Sequence, residues 1–225
     1  MSAAASRGRR VVSCTGVDVQ LPSSAVPIFP IPGAFLFPHQ VLPLHVFEPR
    51  YRQMVEDLLD GPGRLVVGTL LTEGTLLTDQ ATGDAPPVLP VAGLGEIVRH
   101  QRLDDGRFQL LVLGLARVRF TEVPSERLYR RVVCSPFVEI EASAPEARNL
   151  TRRLRAATTA RLKKPLPLPA SAPPGLLADL LLQTLGAPQS VVERVYVEPS
   201  VTTRARLVLQ AAERTPPARQ ADASD

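Results

Sequence analysis

"FPIPGAFLFPHQVLPLHVFEPRYRQMV", residues 29–55, is the most informative stretch of this chain. Three aromatic residues and three prolines crowd its first half, and the stretch holds neither a nucleophile beside a base nor a phosphate-binding loop. Proline cannot donate to a sheet ladder, so strands here are expected at edges, bends or barrel corners. From Tyr51 onward apolar residues recur at i, i+3, i+4 and i+7, and Pro49 suits a first helical turn. The stretch therefore predicts proline-punctuated strands followed by a helix over 49–59.

The surrounding sequence has a mostly β pattern up to residue 137. Its clearest signal is a hairpin, in which Asp105-Gly106 lies between two apolar runs and tolerates the positive φ of a tight turn. The return arm is apolar on both faces, which is typical of a strand inside a sandwich or barrel. About six short strands at this spacing predict a small, mostly antiparallel barrel. The candidate strands are Val26–Ile31, Val41–Val46, Arg64–Leu71, Gly95–Leu103, Arg107–Leu115, Arg117–Phe120 and Tyr129–Ile140.

The period changes to helical after Ser143. A first helix is predicted by an apolar stripe of Ala147, Leu150, Leu154 and Ala157. The proline-rich run 163–174 cannot continue that helix. Three shorter helices are then predicted at Gly175–Leu185, Pro188–Val197 and Ser200–Arg214.

These patterns predict an α+β chain in which a small, mostly antiparallel β-barrel precedes a C-terminal helical bundle. The expected bounds are a disordered tail over 1–24, a barrel subdomain over 25–141, a helical subdomain over 142–214 and a disordered tail over 215–225. The N-terminal tail has two alternatives, an organelle transit peptide and a misplaced start codon. It lacks the apolar region of a secretory signal, and no apolar run reaches the roughly 18 residues of a membrane span.

The two cysteines favour a reducing cytoplasm, because Cys14 and Cys134 cannot form a disulfide framework. Cys134 lies in a strand-like run, where it is expected to be buried as a small apolar side chain.

The distribution of charge limits the kinds of partner that the chain could bind. The formal net charge is +4, and most of the excess falls in 146–164, where seven basic residues face one acid. Arginines recur there at helical spacing, at Arg148, Arg152 and Arg155. They are interpreted either as a solvated helix face or as contacts for an acidic partner or nucleic acid.

Enzymatic sites find little support in the sequence. No Gly-Lys pair exists for a phosphate loop, and the only lysines, Lys163 and Lys164, lie in an exposed proline-rich run that suits no Ser–Lys dyad. The histidines His39, His45 and His100 and nearby carboxylates do not supply the three protein ligands of a catalytic zinc site. His45 and Glu48 are instead expected to bond backbone groups where a strand meets the helix, with Glu48 also favoured by the helix N-terminus. We therefore expect no metal, no cofactor and no catalytic residue.

Gly33–Pro38 contains the apolar run Phe35-Leu36-Phe37, which admits two interpretations. In one, the segment folds back and plugs one end of the barrel. In the other, Phe35, Leu36, Phe37 and Pro38 form an exposed apolar lip that binds unfolded or extended chains.

Residues 26–59 as a whole, read with "GLGEIVRHQRLDDGRFQLLVLGLARVRF" (93–120), resemble the N-terminal substrate-binding domain of the Lon protease family. The "FPIPG" turn and the "LPLHVFEPRYRQMV" junction, which contains His45, Glu48, Pro49, Arg50 and Tyr51, contribute to the resemblance. It implies a PUA-like barrel followed by a helical bundle. The Lon ATPase and Ser–Lys peptidase modules have no counterpart here, so the resemblance implies a stand-alone recognition domain.

The leading hypothesis is a non-enzymatic, cytoplasmic polypeptide-binding protein that acts as an adaptor or modulator of proteolysis. Its expected partners are unfolded or extended polypeptide and a separate protease, with no membrane. RNA binding through the basic helix is the alternative, although nucleic acid is a disfavoured partner because no aromatic residues interleave with the arginines. A third hypothesis is an enzyme that uses His45 with Glu48.

Overall fold

The computed structural model describes residues 10–12, 18–71, 86–162 and 168–215. The described chain forms two compact units, one up to Val138 and one from Glu139 onward. Its strands are β1 (Arg10–Val12), β2 (Asp18–Gln20), β3 (Val26–Pro32), β4 (Val41–Val46), β5 (Arg64–Leu70), β6 (Ala92–Arg102), β7 (Phe108–Val123) and β8 (Arg131–Pro136). Its helices are α1 (Pro49–Leu59), α2 (Ala144–Leu162), α3 (Pro174–Gln183), α4 (Gln189–Val197) and α5 (Val201–Arg214).

Six strands of the first unit form one sheet that closes on itself. The strand order is β4-β7-β6-β5-β3-β8, and β8 pairs back onto β7 to complete a barrel. All neighbours are antiparallel except β3 and β5, which run parallel. The α+β fold class with a small, mostly antiparallel barrel is therefore confirmed.

Strand β7 organises the barrel because it serves three partners. It pairs with β6 from Phe108 to Val118. Its first half also pairs with β4, and its second half pairs with β8. Arg107–Leu115 and Arg117–Phe120 were predicted as separate strands, and this division is wrong. They join in one strand since no proline or turn residue interrupts them.

The prolines of β3 lie where the sheet needs no donor. The Ile28 amide donates to the Arg130 carbonyl at 3.0 Å, on the side that β8 occupies. The backbone amide positions of alternate residues in a strand point to the same side, so those of Pro30 and Pro32 face β8 too, beyond the last β3–β8 pair at Pro27. The expectation of proline at barrel edges holds at these positions.

Helix α1 has the predicted bounds and covers one side of the barrel. Proline occupies its first turn, and Tyr51, Met54, Val55 and Leu58 are its buried stripe. They pack with Phe29, Leu36 and barrel residues from β4, β5 and β7 in one core cluster. A second cluster, which contains Cys134, joins β3, β5, β6, β7 and β8. Cys134 is free and only 1% exposed, so its predicted burial is confirmed.

The predicted tail over 1–24 is wrong at its C-terminal end. Strands β1 and β2 pair antiparallel, with Val11 opposite Val19. Val19 and Leu21 then pack into the second barrel cluster, and Leu21 is 2% exposed. The composition of the preceding residues is typical of a tail, so Val19 and Leu21 were not predicted to pack against the barrel. Residues 1–9, together with 13–17 and therefore Cys14, lie outside the described residues.

The second unit is helical. Its buried residues include Leu150 and Leu154 of α2, Leu177 and Leu181 of α3, and Val208 of α5. Helix α5 begins with a capping bond, in which the Ser200 hydroxyl accepts from the Thr203 amide at 3.2 Å. No helix in the described ranges is long and apolar enough to cross a bilayer. Lys163, Lys164 and the predicted tail from 216 to 225 lie outside the described residues.

Candidate functional site

Gly33–Pro38 is not an exposed lip. Leu36 is fully buried and Phe37 is 3% exposed, and Pro38 is buried as well. The exposed-lip interpretation is therefore wrong for these three residues. Phe35 is only partly covered. The segment folds back onto the barrel, as the other interpretation expects.

Three glycines explain why the segment lies so close to the sheet. Gly93 and Gly95 of β6 and Gly114 of β7 form a flat surface beneath Leu36 and Phe37. A Cβ on Gly93 would meet the Leu36 carbonyl, and one on Gly114 would meet the Phe37 carbonyl. Two backbone hydrogen bonds of 2.8 Å stabilise this contact. The His39 amide donates to the Gly114 carbonyl, and the Gly114 amide donates to the Gln40 carbonyl.

The junction before α1 is architectural. The Glu48 carbonyl accepts from the Arg52 amide at 2.9 Å, but its side chain makes no capping bond. The expected side-chain cap is wrong, because Arg50 binds that carboxylate at 2.8 Å. Arg50 also lies over the Tyr51 ring at 4.5 Å. His45 stands edge-on to Phe47, with ring centroids 6.2 Å apart, while the Glu48 carboxylate is paired with Arg50.

The basic face of α2 is smaller than the sequence indicates. Arg148 and Arg152 are exposed. Arg155 is partly buried and donates to the carbonyls of Leu168 and Pro169. Arg155 therefore links α2 to the chain before α3. The structure favours this structural role for Arg155 over the predicted contact with a partner. The RNA-binding alternative loses one of its three arginines in this way.

A groove of about 500 Å³ runs over the outer face of β4, β7 and β6. The registers place Pro43, Leu111 and Arg99 in one row across the three strands. The next row is His45, Gln109 and Gln101. Residues two apart share a face of a strand, so both rows point outward while Leu110 and Val112 are buried. We call these two rows the groove face.

The groove face has an apolar border and a basic side. Val41 begins β4 on the face of Pro43 and is 48% exposed, and Phe47, just after β4, lies against His45 and is 61% exposed. Val98 in the β6 bulge is 52% exposed. Large apolar side chains grouped on a surface mark interaction sites more often than scattered ones do. Arg99 lies at the β6 side of the groove and has no ion pair within the described part of the chain. The arrangement suits an apolar segment that also carries acidic or polar groups.

The sequence missed the groove face, although a signal for it exists. The alternation of β4 places Val41, Pro43 and His45 on the face opposite Leu42 and Leu44. The return arm appeared apolar on both faces, which favoured a fully interior strand. In the structure its even-numbered face is buried, and Leu111 and Leu113 on the odd-numbered face are half-buried.

Comparisons with curated proteins find relatives that are longer than this chain. The chain is 29% identical over 198 residues to Lon protease 2 of Sorangium cellulosum, covering 83% of this chain and 24% of that protein. It is 24% identical to the Lon protease of Desulfosudis oleivorans, covering 81% of this chain and 23% of that protein. The chain thus spans about a quarter of the length of these relatives.

Solved structures show the same fold. The N-terminal domain of a Mycobacterium avium complex Lon protease superposes with a TM-score of 0.62 at 16% identity, covering 84% of this chain and 98% of that one. The Lon N-terminal domain protein from Xanthomonas campestris gives 0.58 at 18% identity, covering 83% of this chain and 98% of that one. The PUA-like barrel followed by helices is therefore confirmed. Residues 25–214 match the family of the ATP-dependent protease La (LON) substrate-binding domain, and the chain belongs to that family.

Proposed function

We propose that this chain binds unfolded or extended polypeptide through its groove face and so selects proteins for degradation. It would do so as a non-enzymatic adaptor or modulator of a separate protease. Membership of a substrate-binding domain family supports the general role. The single observation that carries the location is the groove of about 500 Å³ bordered by the exposed side chains of Val41 and Phe47.

The polypeptide would lie across the face of the sheet and not extend its edge. Gly114 exchanges backbone bonds with the chain just before β4, so in the antiparallel ladder Val41, Pro43 and His45 point their backbone groups at the open edge. Pro43 has no amide hydrogen to offer there. Proline on an edge strand opposes pairing with another strand, which leaves side-chain contact as the main source of affinity.

A reducing cytoplasm suits this role because Cys134 is a free thiol. Arg148 and Arg152 are exposed and would offer a secondary contact for acidic segments. Replacing Phe37 with serine would not test the function, since Phe37 is buried and its loss would damage the barrel.

The sharper test is binding of fluorescent, permanently unfolded casein to the Val41→Ser/Phe47→Ser variant. Both side chains are largely exposed, so the barrel should stay folded. Loss of two apolar contacts is expected to weaken binding by about tenfold. Fluorescence anisotropy would measure the affinity, and circular dichroism would verify the fold.

A matched variant, Leu128→Ser/Val138→Ser, removes two apolar side chains that are 65% and 73% exposed elsewhere on the same unit. It should bind casein like the wild type. Equal affinities for wild type and the Val41→Ser/Phe47→Ser variant would remove the groove face from the mechanism.

A further inference from the structure

A second cavity, of about 390 Å³, lies in the barrel unit away from the groove face. Its walls are the chain before β3, the end of α1 and the beginning of β8. Pro22, Leu58 and Pro62 supply apolar surface to it, while Arg64, Arg127 and Arg131 supply positive charge. We call it the arginine pocket.

Backbone carbonyls hold two of these arginines in place. Arg131 donates to the Ala25 carbonyl at 2.6 Å, and Arg64 donates to the Gln20 carbonyl at 2.8 Å. A neutral carbonyl orients a guanidinium group without cancelling its charge. Arg64 is also paired with Glu96 at 3.1 Å, whereas Arg131 has no carboxylate partner within the described part of the chain.

The pocket has one acidic residue, and its carboxylate is already engaged. Asp57 accepts from the Tyr129 hydroxyl at 2.6 Å, and Arg127 lies 3.5 Å from the same oxygen. Burial raises the pKa of Tyr129 to about 12, so the phenol adds no negative charge at neutral pH. Arg64 is paired with Glu96 and Arg127 lies beside Asp57, so the Arg131 guanidinium group gives the lining its excess of positive charge.

We propose that the arginine pocket binds the C-terminal carboxylate of a polypeptide whose last side chain is apolar. A guanidinium group matches a carboxylate with two parallel hydrogen bonds, and the proline and leucine walls would cover the terminal side chain. Capture of a chain terminus is a recognised way to bind peptides. The inference rests on the proposed polypeptide-binding function and adds a preference for chain ends.

The test compares two fluorescent peptides of one sequence that end in leucine, one with a free carboxylate and one with an amide. Anisotropy with the full chain should show about tenfold tighter binding of the acid peptide, the effect of one charge-assisted hydrogen-bonded pair. Arg131→Gln should lower the affinity for the acid peptide to that for the amide. Arg127→Gln changes a more exposed position and should also reduce the preference for the acid peptide. It provides the test if Arg131→Gln fails to fold.

Arg153→Gln is the matched control, because it removes the same charge from an exposed position on α2. It should keep the full preference for the acid peptide. N-acetyl-leucine should displace the acid peptide, while inorganic phosphate at the same concentration should not. Equal binding of acid and amide peptides by the wild type would overturn the proposal, as would equal competition by phosphate.

The proposals for the arginine pocket and for the groove face can be tested separately. A lost acid preference with retained casein binding would overturn the arginine pocket alone. A preserved preference, with casein binding that is unchanged by Val41→Ser/Phe47→Ser, would overturn the groove face alone.

Discussion

Gly114 shows how one absent side chain positions a whole segment. It pairs with Gly95 in the sheet and exchanges two backbone bonds with the chain just before β4. A Cβ there would press on the Phe37 carbonyl, which belongs to the backbone and cannot turn aside as a flexible side chain could. Leu36 and Phe37 are buried because the sheet beneath them has glycines, and therefore no side chains, at these positions.

Gly114→Ala should therefore lower the free energy of unfolding by about 2 kcal/mol, as expected for an overpacked core. Urea unfolding followed by circular dichroism would measure the change. Gly61→Ala is a fitting control, since its new Cβ would lie 3.9 Å from the nearest heavy atom, the Leu58 carbonyl oxygen. If both variants unfold at the same urea concentration, the glycine surface does not hold Gly33–Pro38 in place.

Cys134 gives the barrel a predictable sensitivity to alkali. Burial raises the pKa of its thiol from the ordinary value of 9.0 to about 11. The unfolded chain thus releases this proton at lower pH than the folded chain does. The stabilisation is complete below about pH 9 and is lost as the pH rises to about 11.

Urea midpoints measured from pH 8 to 11 should fall for the wild type and fall less for Cys134→Ala. The alanine variant should begin from a lower midpoint, because it leaves a small cavity in the barrel. Tyr129→Phe is a useful comparison, since its effect belongs to the window from pH 10 to 12. Parallel profiles for wild type and Cys134→Ala would contradict the assignment.

At the level of elements, local patterns predicted most of the barrel. The helix over 49–59 and the strand Val41–Val46 have the predicted bounds, because their periodicity and flanking prolines act within a few residues. The hairpin around Asp105-Gly106 was also found from its turn chemistry. Closure of the barrel was not, since the pairing of β8 with β7 and the parallel pairing of β3 with β5 depend on contacts distant in sequence.

The candidate site was harder to predict than the fold. The exposed-lip interpretation took Leu36 and Phe37 as accessible because they lie between Gly33 and Pro38, outside any regular element. Their burial depends on glycines about 60 to 80 positions later, which no local pattern connects with them. The groove face likewise depends on the register of three strands, and Arg99 faces Leu111 only because a bulge shifts β6.

At the scale of the whole molecule, the boundary between the two units differs from the expected one. The sequence predicts a boundary between 141 and 142, whereas the structure divides the chain after Val138. Glu139 pairs with the fully buried Arg204 of α5 at 2.7 Å. The Ile140 amide donates to the Pro199 carbonyl at 2.9 Å, and the Val201 amide donates to the Ile140 carbonyl at 3.0 Å. Residues 139–141 thus belong to the helical unit.

A fragment of residues 139–225 should accordingly be more stable than one of 142–225. The shorter fragment loses Glu139, the carboxylate 2.7 Å from the buried Arg204, and keeps Asp179 at 3.4 Å. Removing one partner of a buried pair costs about 3 kcal/mol, so the shorter fragment should unfold at lower temperature. Far-ultraviolet circular dichroism would follow the melting of both fragments.

Point variants in the full chain separate the ion pair from the effect of truncation. Glu139→Gln should destabilise the helical unit, because its amide cannot balance the charge of the Arg204 guanidinium. Glu141→Gln makes the same change at an exposed position two residues later and should be nearly neutral. If the two fragments melt together and the two variants behave alike, Glu139 does not anchor the segment, and the boundary of the helical unit lies nearer to 142.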